Sequence, residues 1–226
     1  MSQSRSQMPD WLTGVEARAL DGIDSVLFGK VRQAYSSTGR VYHTWQHILA
    51  CLAEYRLVKC DAPRAVLLAL LFHDAVYVPG AKDNEAQSAD LAMNLLAEHG
   101  NIAEGERREI AQMILLTASH HATNTLSADA MRLLDIDLSV LGAARPIYQA
   151  YATGVRREFC PAVVSEFKFR IGRIKFLRAV QQQPHIFLTA EMRSRCEQAA
   201  RDNITGEIAA LEQEAGSIGR FMSRVV

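Results

Sequence analysis

Eight consecutive apolar residues, Ala65-Val66-Leu67-Leu68-Ala69-Leu70-Leu71-Phe72, run straight into His73-Asp74. A helix that is apolar on every side has to be buried, so the imidazole and carboxylate at its end are carried inside with it. Leaving both without partners there costs on the order of several kcal/mol. A chain with this segment must therefore fold so that something satisfies the pair. The partner that fits best is a metal ion completed by further ligands. Two other segments offer them: His47 in His43-Thr44-Trp45-Gln46-His47, and Asp137 in Leu134-Asp135-Ile136-Asp137-Leu138.

The surroundings read as helix almost throughout. Trp45, Ile48, Leu49, Leu52 and Tyr55 recur at three- and four-residue steps, and alternating strand-like runs are scarce. The spacing predicts an all-α, single-domain helical bundle. Helices are expected over 11–19, from Trp45 onward, from Asp61-Pro63 to about residue 76, over 84–99 with Gly100 as the C-terminal cap, and over 103–120. Further helices are expected from the Ser127 cap to Gly142, from Pro146, over 162–182 and over 189–211. Residues 1–10 read as a disordered N-terminus, 11–214 as the domain and 215–226 as a tail, where Phe221 and Met222 could join a homodimer contact.

Charge narrows the partners. The 25 basic and 25 acidic residues cancel, which argues against a nucleic acid polymer or an acidic membrane surface and favours a small molecule. The four cysteines form no Cys-x-x-Cys, so neither a zinc knuckle nor a thioredoxin-type motif is present. With no signal-peptide core and no apolar run near the ~20 residues of a membrane span, a cytoplasmic protein is expected. Imidazole mixed with carboxylate suits divalent Mn, Co, Fe, Ni or Zn better than soft-ligand metals, with Mg as the hard extreme.

Four segments, Arg40-Val41-Tyr42-His43 through His47, Phe72-His73-Asp74-Ala75-Val76-Tyr77, Asn84-Glu85-Ala86-Gln87-Ser88-Ala89 and Asp135-Ile136-Asp137-Leu138, together resemble the HD-domain metal-dependent phosphohydrolases, and most closely a bacterial subgroup of predicted enzymes. The likeness extends from about residue 35 to residue 211. It implies one or two divalent ions held by His47, His73, Asp74 and Asp137. His43, one turn before His47, and Asp135, two residues before Asp137, are the alternative ligands.

The implied reaction is hydrolysis of a phosphate ester or anhydride of a nucleotide-like metabolite by a metal-activated water. Asp74 would serve catalysis through the metal. Glu85 would orient the water or protonate the leaving group, unless it is simply a first-turn carboxylate stabilised by the helix dipole. Phosphate oxygens call for Arg40, Lys82, His43, His120 and Arg173, with His121 as a variant of His120; Arg173 and Arg201 also suit structural ion pairs. His99 and His185 read as a helix end and a loop residue. Two other readings stand beside this one: an HD-type di-iron oxygenase, which would need additional histidines such as His99, His120 and His121, and a nucleotide-sensing module without turnover.

Overall fold

In the computed structural model the apolar run is the innermost helix, with every residue from Ala65 to Phe72 buried. The structure describes residues 23–119 and 126–222, with side chains through residue 214. The helix expected over 11–19, the first ten residues, His120, His121 and the side chains of Phe221 and Met222 lie outside these.

Among the described residues the chain is all helix and forms one domain. In order come α1 (Ser25–Ala34), α2 (Trp45–Tyr55), α3 (Pro63–Phe72), α4 (Asn84–His99), α5 (Glu104–Leu116) and α6 (Ala128–Asp137). A short 3-10 segment (Leu138–Gly142) then leads to α7 (Arg145–Phe159), α8 (Glu166–Gln181) and α9 (Ala190–Met222). No helix among the described residues is long and apolar enough to cross a membrane.

Two apolar clusters hold the bundle. The larger surrounds α3 with inward faces of α1, α2, α4, α5 and α6, including Ile48, Leu52, Leu96, Ile110, Ile114 and Leu133. The smaller joins α7, α8 and α9 through Tyr148, Leu177, Phe187, Ile204 and Ile208. Leu141, in the 3-10 segment, belongs to the second cluster, while Ile136, five residues earlier, belongs to the first. The end of α6 therefore lies at the seam between the two.

Local chemistry sets the boundaries. Thr44 and Ser127 cap α2 and α6, their hydroxyls accepting from Gln46 N and Ala130 N, as short polar side chains do for otherwise orphaned amides. Pro63 stands in the first turn of α3, where its missing N–H costs nothing. Gly142 allows α9 to cross closely: a Cβ there would meet the Cys196 Cβ at 2.6 Å and its carbonyl oxygen at 2.8 Å.

Three expectations change. Helix α1 has no counterpart in the sequence reading, although Asp24 caps it by accepting from Val26 N and Leu27 N. Gly100 closes α4 but keeps right-handed dihedrals, and the left-handed residue is Asn101, at φ 45°. Helix α3 stops at Phe72, four residues short of the expected end, because side chains claim the backbone beyond it. Ser88 Oγ accepts from Val76 N (3.0 Å), Asn84 Oδ1 accepts from Val78 N (2.9 Å), and Arg40 donates to the carbonyls of Asp74 and Ala75 (both 2.8 Å). His73 thus ends the helix, its N–H still bonded to the Ala69 carbonyl, and Asp74 stands in the turn that follows.

Candidate metal centre

His47 projects from the first turn of α2, His73 and Asp74 from the turn after α3, and Asp137 from the last residue of α6. Their polar atoms converge. The two Nε2 atoms of His47 and His73 are 3.1 Å apart. Asp137 Oδ1 lies 3.1 Å from His47 Nε2 and 3.3 Å from His73 Nε2, and Asp74 Oδ2 lies 3.6 Å and 3.2 Å from the same two atoms. Ligands at the ~2.0–2.2 Å of divalent metal bonds stand roughly 3.0–3.4 Å apart when adjacent on an octahedron or tetrahedron. The spacing fits.

The tautomers fit as well. His73 Nδ1–H donates to the Leu70 carbonyl at 2.8 Å, which leaves Nε2 unprotonated in the neutral ring. His47 pairs through Nδ1 with the Tyr42 hydroxyl at 3.0 Å, and where Nδ1 is the donor of that pair its Nε2 is a lone pair as well. Two Nε2 atoms 3.1 Å apart beside two carboxylates in a buried site favour a positive charge between them. The electrostatics agree. Burial disfavours the His73 imidazolium, yet Asp74 and Asp137 outweigh it and hold the pKa well above the usual histidine value. Burial likewise opposes the Asp74 carboxylate, and His73, His43 and His47 hold its pKa far below the carboxylate range.

Cys51 comes near without joining. Its Sγ is 3.7 Å from His47 Nε2 and 3.8 Å from Nδ1. A sulfur equidistant from both ring nitrogens lies alongside the ring and not ahead of the ligating lone pair.

The alternatives left open by the sequence are distinguished by geometry. Asp135 turns away from the cluster: Oδ1 accepts from Leu188 N at 2.6 Å, and Oδ2 accepts from Thr189 N at 2.8 Å and the Thr189 hydroxyl at 2.6 Å. It holds the segment that enters α9. His43 donates from Nδ1 to Glu158 Oε2 at 2.7 Å and stacks on Tyr77 at 4.2 Å between ring centroids.

Glu158, which the sequence reading missed, organises this corner. Its Oε1 accepts from the backbone amides of Val41, Tyr42 and His43 at 2.7, 2.7 and 2.9 Å. Burial would raise its pKa, but His43 and those amides lower it to about 2. Burial pulls the His43 pKa down, and Asp74 and Glu158 overcome that and raise it. Only one hint existed in the sequence: an acid in the last turn of α7, where the helix dipole disfavours negative charge, implies a distant partner.

The expected phosphate-binding cations are otherwise engaged. Arg40 donates to Ser37 Oγ, to the carbonyls of His43 and Asp74 from one nitrogen, and to that of Ala75 from another. It clasps the His43 loop to the His73-Asp74 turn. Arg173 is buried in a two-pronged pair with Glu207 (2.8 and 3.1 Å) and donates to the Tyr151 hydroxyl at 3.1 Å. Arg201 pairs with Glu197 and donates to the carbonyls of Gln181, Gln183 and Pro184. Lys82 is exposed in the loop before α4, and Glu85 is half-buried in that helix's first turn. Neither contributes to the ligand cluster or to the cavity beside it.

That cavity, about 240 Å³, is lined by His43 and Asp137 together with Tyr42, Tyr151, Phe176 and Val180. The Tyr42 and Tyr151 rings meet edge to face at 4.7 Å. Gly154 makes room for this wall, since a Cβ there would lie 3.1 Å from the Tyr42 Cβ.

No family model and no curated protein matches the chain. Among solved structures, it is similar to the crystal structure of the phosphodiesterase domain of the Salpingoeca rosetta rhodopsin phosphodiesterase. The two align over 98% of this chain and 92% of that one, with a TM-score of 0.65 and 18% sequence identity. At that identity the likeness establishes the fold, and this all-helical chain has the fold of that phosphodiesterase domain.

Proposed function

We propose that the chain is a metal-dependent phosphohydrolase in which His47, His73, Asp74 and Asp137 hold a divalent ion and His43 protonates the leaving oxygen. The observation that carries this is the convergence of one Asp74 and one Asp137 oxygen on the paired Nε2 atoms of His47 and His73, at 3.1–3.6 Å from each. The phosphodiesterase fold supports it. Bound there, a divalent ion supplies the acidity that makes water a nucleophile near neutral pH and the positive charge a phosphoryl oxygen needs.

The chain's own residues do the rest. Asp74 and Asp137 orient the two histidine rings, the Leu70 carbonyl fixes the His73 tautomer, and the Tyr42 hydroxyl holds the His47 ring. His43 lines the cavity, and with Nδ1 committed to Glu158, Nε2 is the nitrogen that gives its proton to the departing oxygen as water adds to phosphorus. Asp74 and Glu158 raise the pKa of that imidazole against the effect of burial and so favour its charged form. On this geometry the proton-transfer role expected for Glu85 passes to His43.

Phosphate release from a panel of phosphate esters, with Mn²⁺, Co²⁺, Zn²⁺ or Mg²⁺ added to metal-stripped protein, tests the reading. Turnover that depends on metal, together with loss of bound metal in His73→Ala and Asp74→Ala by elemental analysis, is expected. Full metal content in both variants, or no hydrolysis with any ion, overturns it.

A further inference from the structure

The cavity beside the ligand cluster carries information about what occupies it, and reading it rests on the phosphohydrolase assignment. We propose that the substrate is a phosphate ester with a single phosphoryl group on an uncharged, planar, largely apolar group, held by Tyr42, Tyr151 and Phe176, and that polyphosphates are disfavoured.

Three observations carry this. First, the lining beyond His43 and Asp137 is mainly aromatic and aliphatic, with Leu138, Val180 and Ile186 between the rings and Gln183 and His185 as polar points. Second, no lysine or arginine lines the cavity among the described residues. Each further phosphate would add about one to two negative charges needing charge-assisted donors. The nearby guanidiniums of Arg40 and Arg173 already spend their donors on carbonyls, Glu207 and Tyr151. Third, a volume of about 240 Å³ falls below the ~300–1,000 Å³ of pockets that enclose drug-sized ligands. One ring system fills a cavity of that size.

The walls are also prearranged. Tyr151 is fixed by the Arg173 donation and by the guanidinium 5.0 Å over its ring, and Tyr42 by its bond to His47. Rigid aromatic walls gain stacking energy from a planar ligand with little ordering cost. Phe176 is 43% exposed and closes the outer side, so its truncation leaves the fold intact while removing one wall.

The test compares 1-naphthyl phosphate, ethyl phosphate, inorganic pyrophosphate and ATP as substrates of the metal-loaded full-length protein. It also measures fluorescence-detected binding of 1-naphthol to the metal-free protein. Naphthyl phosphate should exceed ethyl phosphate by about tenfold or more in kcat/KM, with pyrophosphate and ATP slower than naphthyl phosphate. Phe176→Ala should lower kcat/KM for the naphthyl ester and weaken naphthol binding by roughly fivefold, with a smaller loss for ethyl phosphate. Pyrophosphate or ATP turned over as well as the naphthyl ester, or equal rates for naphthyl and ethyl esters, overturns the inference while the phosphohydrolase reading stands. Naphthol binding with no hydrolysis of any compound overturns that reading and leaves the apolar pocket in place.

Discussion

Replacing Glu158 by glutamine should move a pH limb and spare the fold. Gln keeps a carbonyl oxygen for the amides of Val41, Tyr42 and His43 but presents an NH₂ group to His43 Nδ1 in place of a carboxylate. In the proposed mechanism His43 acts in its protonated form, so activity is lost as pH rises through its pKa. Asp74 and Glu158 raise that pKa, so the variant should lose activity at lower pH on the alkaline side, read from a pH–rate profile. Glu158→Ala also strands three backbone N–H groups and should cost ~2–4 kcal/mol in chemical denaturation. Cys51 gives the contrasting case. Burial pushes its thiol pKa up, with Asp137 and Asp74 adding to the effect, and its sulfur lies beside the His47 ring. Cys51→Ala should therefore retain full metal content, and the native thiol should label slowly in folded protein.

At the level of elements, the turn carrying His73 and Asp74 is held from α4. Asn84 bridges Val78 through its carbonyl and amide groups (2.9 and 3.1 Å), and Ser88 does the same at Val76 (3.0 and 3.2 Å). Asn84→Ala should cost ~1–3 kcal/mol in stability and weaken metal binding alongside, whereas an exposed α4 change such as Gln87→Ala should do neither. This element also shows what the sequence could reveal. The four residues that converge were legible because each stands next to an unmistakable helix signal: the apolar run of α3, the stripe of α2 and the Ser127 cap of α6. The Asn84-to-Ser88 motif was visible, but its purpose was not, because a side chain that captures a neighbouring turn's backbone leaves no periodic trace. For the same reason the end of α3 was placed too late. Glu158 was hidden by distance, its partners lying 115–117 residues away. Arg40 and Arg173 looked like phosphate donors because composition cannot tell an unspent guanidinium from one already hydrogen-bonded.

For the whole molecule, charge and metal act on the same balance. Glu158 ionises at about 2 in the fold against an ordinary 4.5, and Asp74 is lowered too. Groups with depressed pKa values stabilise the fold above the unfolded value and lose that contribution as pH falls. Thermal melts of metal-free protein should therefore drop steeply between about pH 4.5 and pH 2, with Glu158 alone accounting for up to about 3 kcal/mol. Divalent ion at a hundred times its Kd should add ~2.7 kcal/mol near neutral pH, a gain that shrinks in acid as protons compete for its ligands. Asp135 and Asp137 extend this coupling to the far half of the bundle. In the proposed metal-bound form one carboxylate meets the ion, while the other, two residues earlier on the same final turn, grips the amides of Leu188 and Thr189 at the threshold of α9. A cation arriving at the seam thereby tightens the C-terminal helix at its root, and slowed deuterium uptake at those two amides would register its arrival from across the molecule.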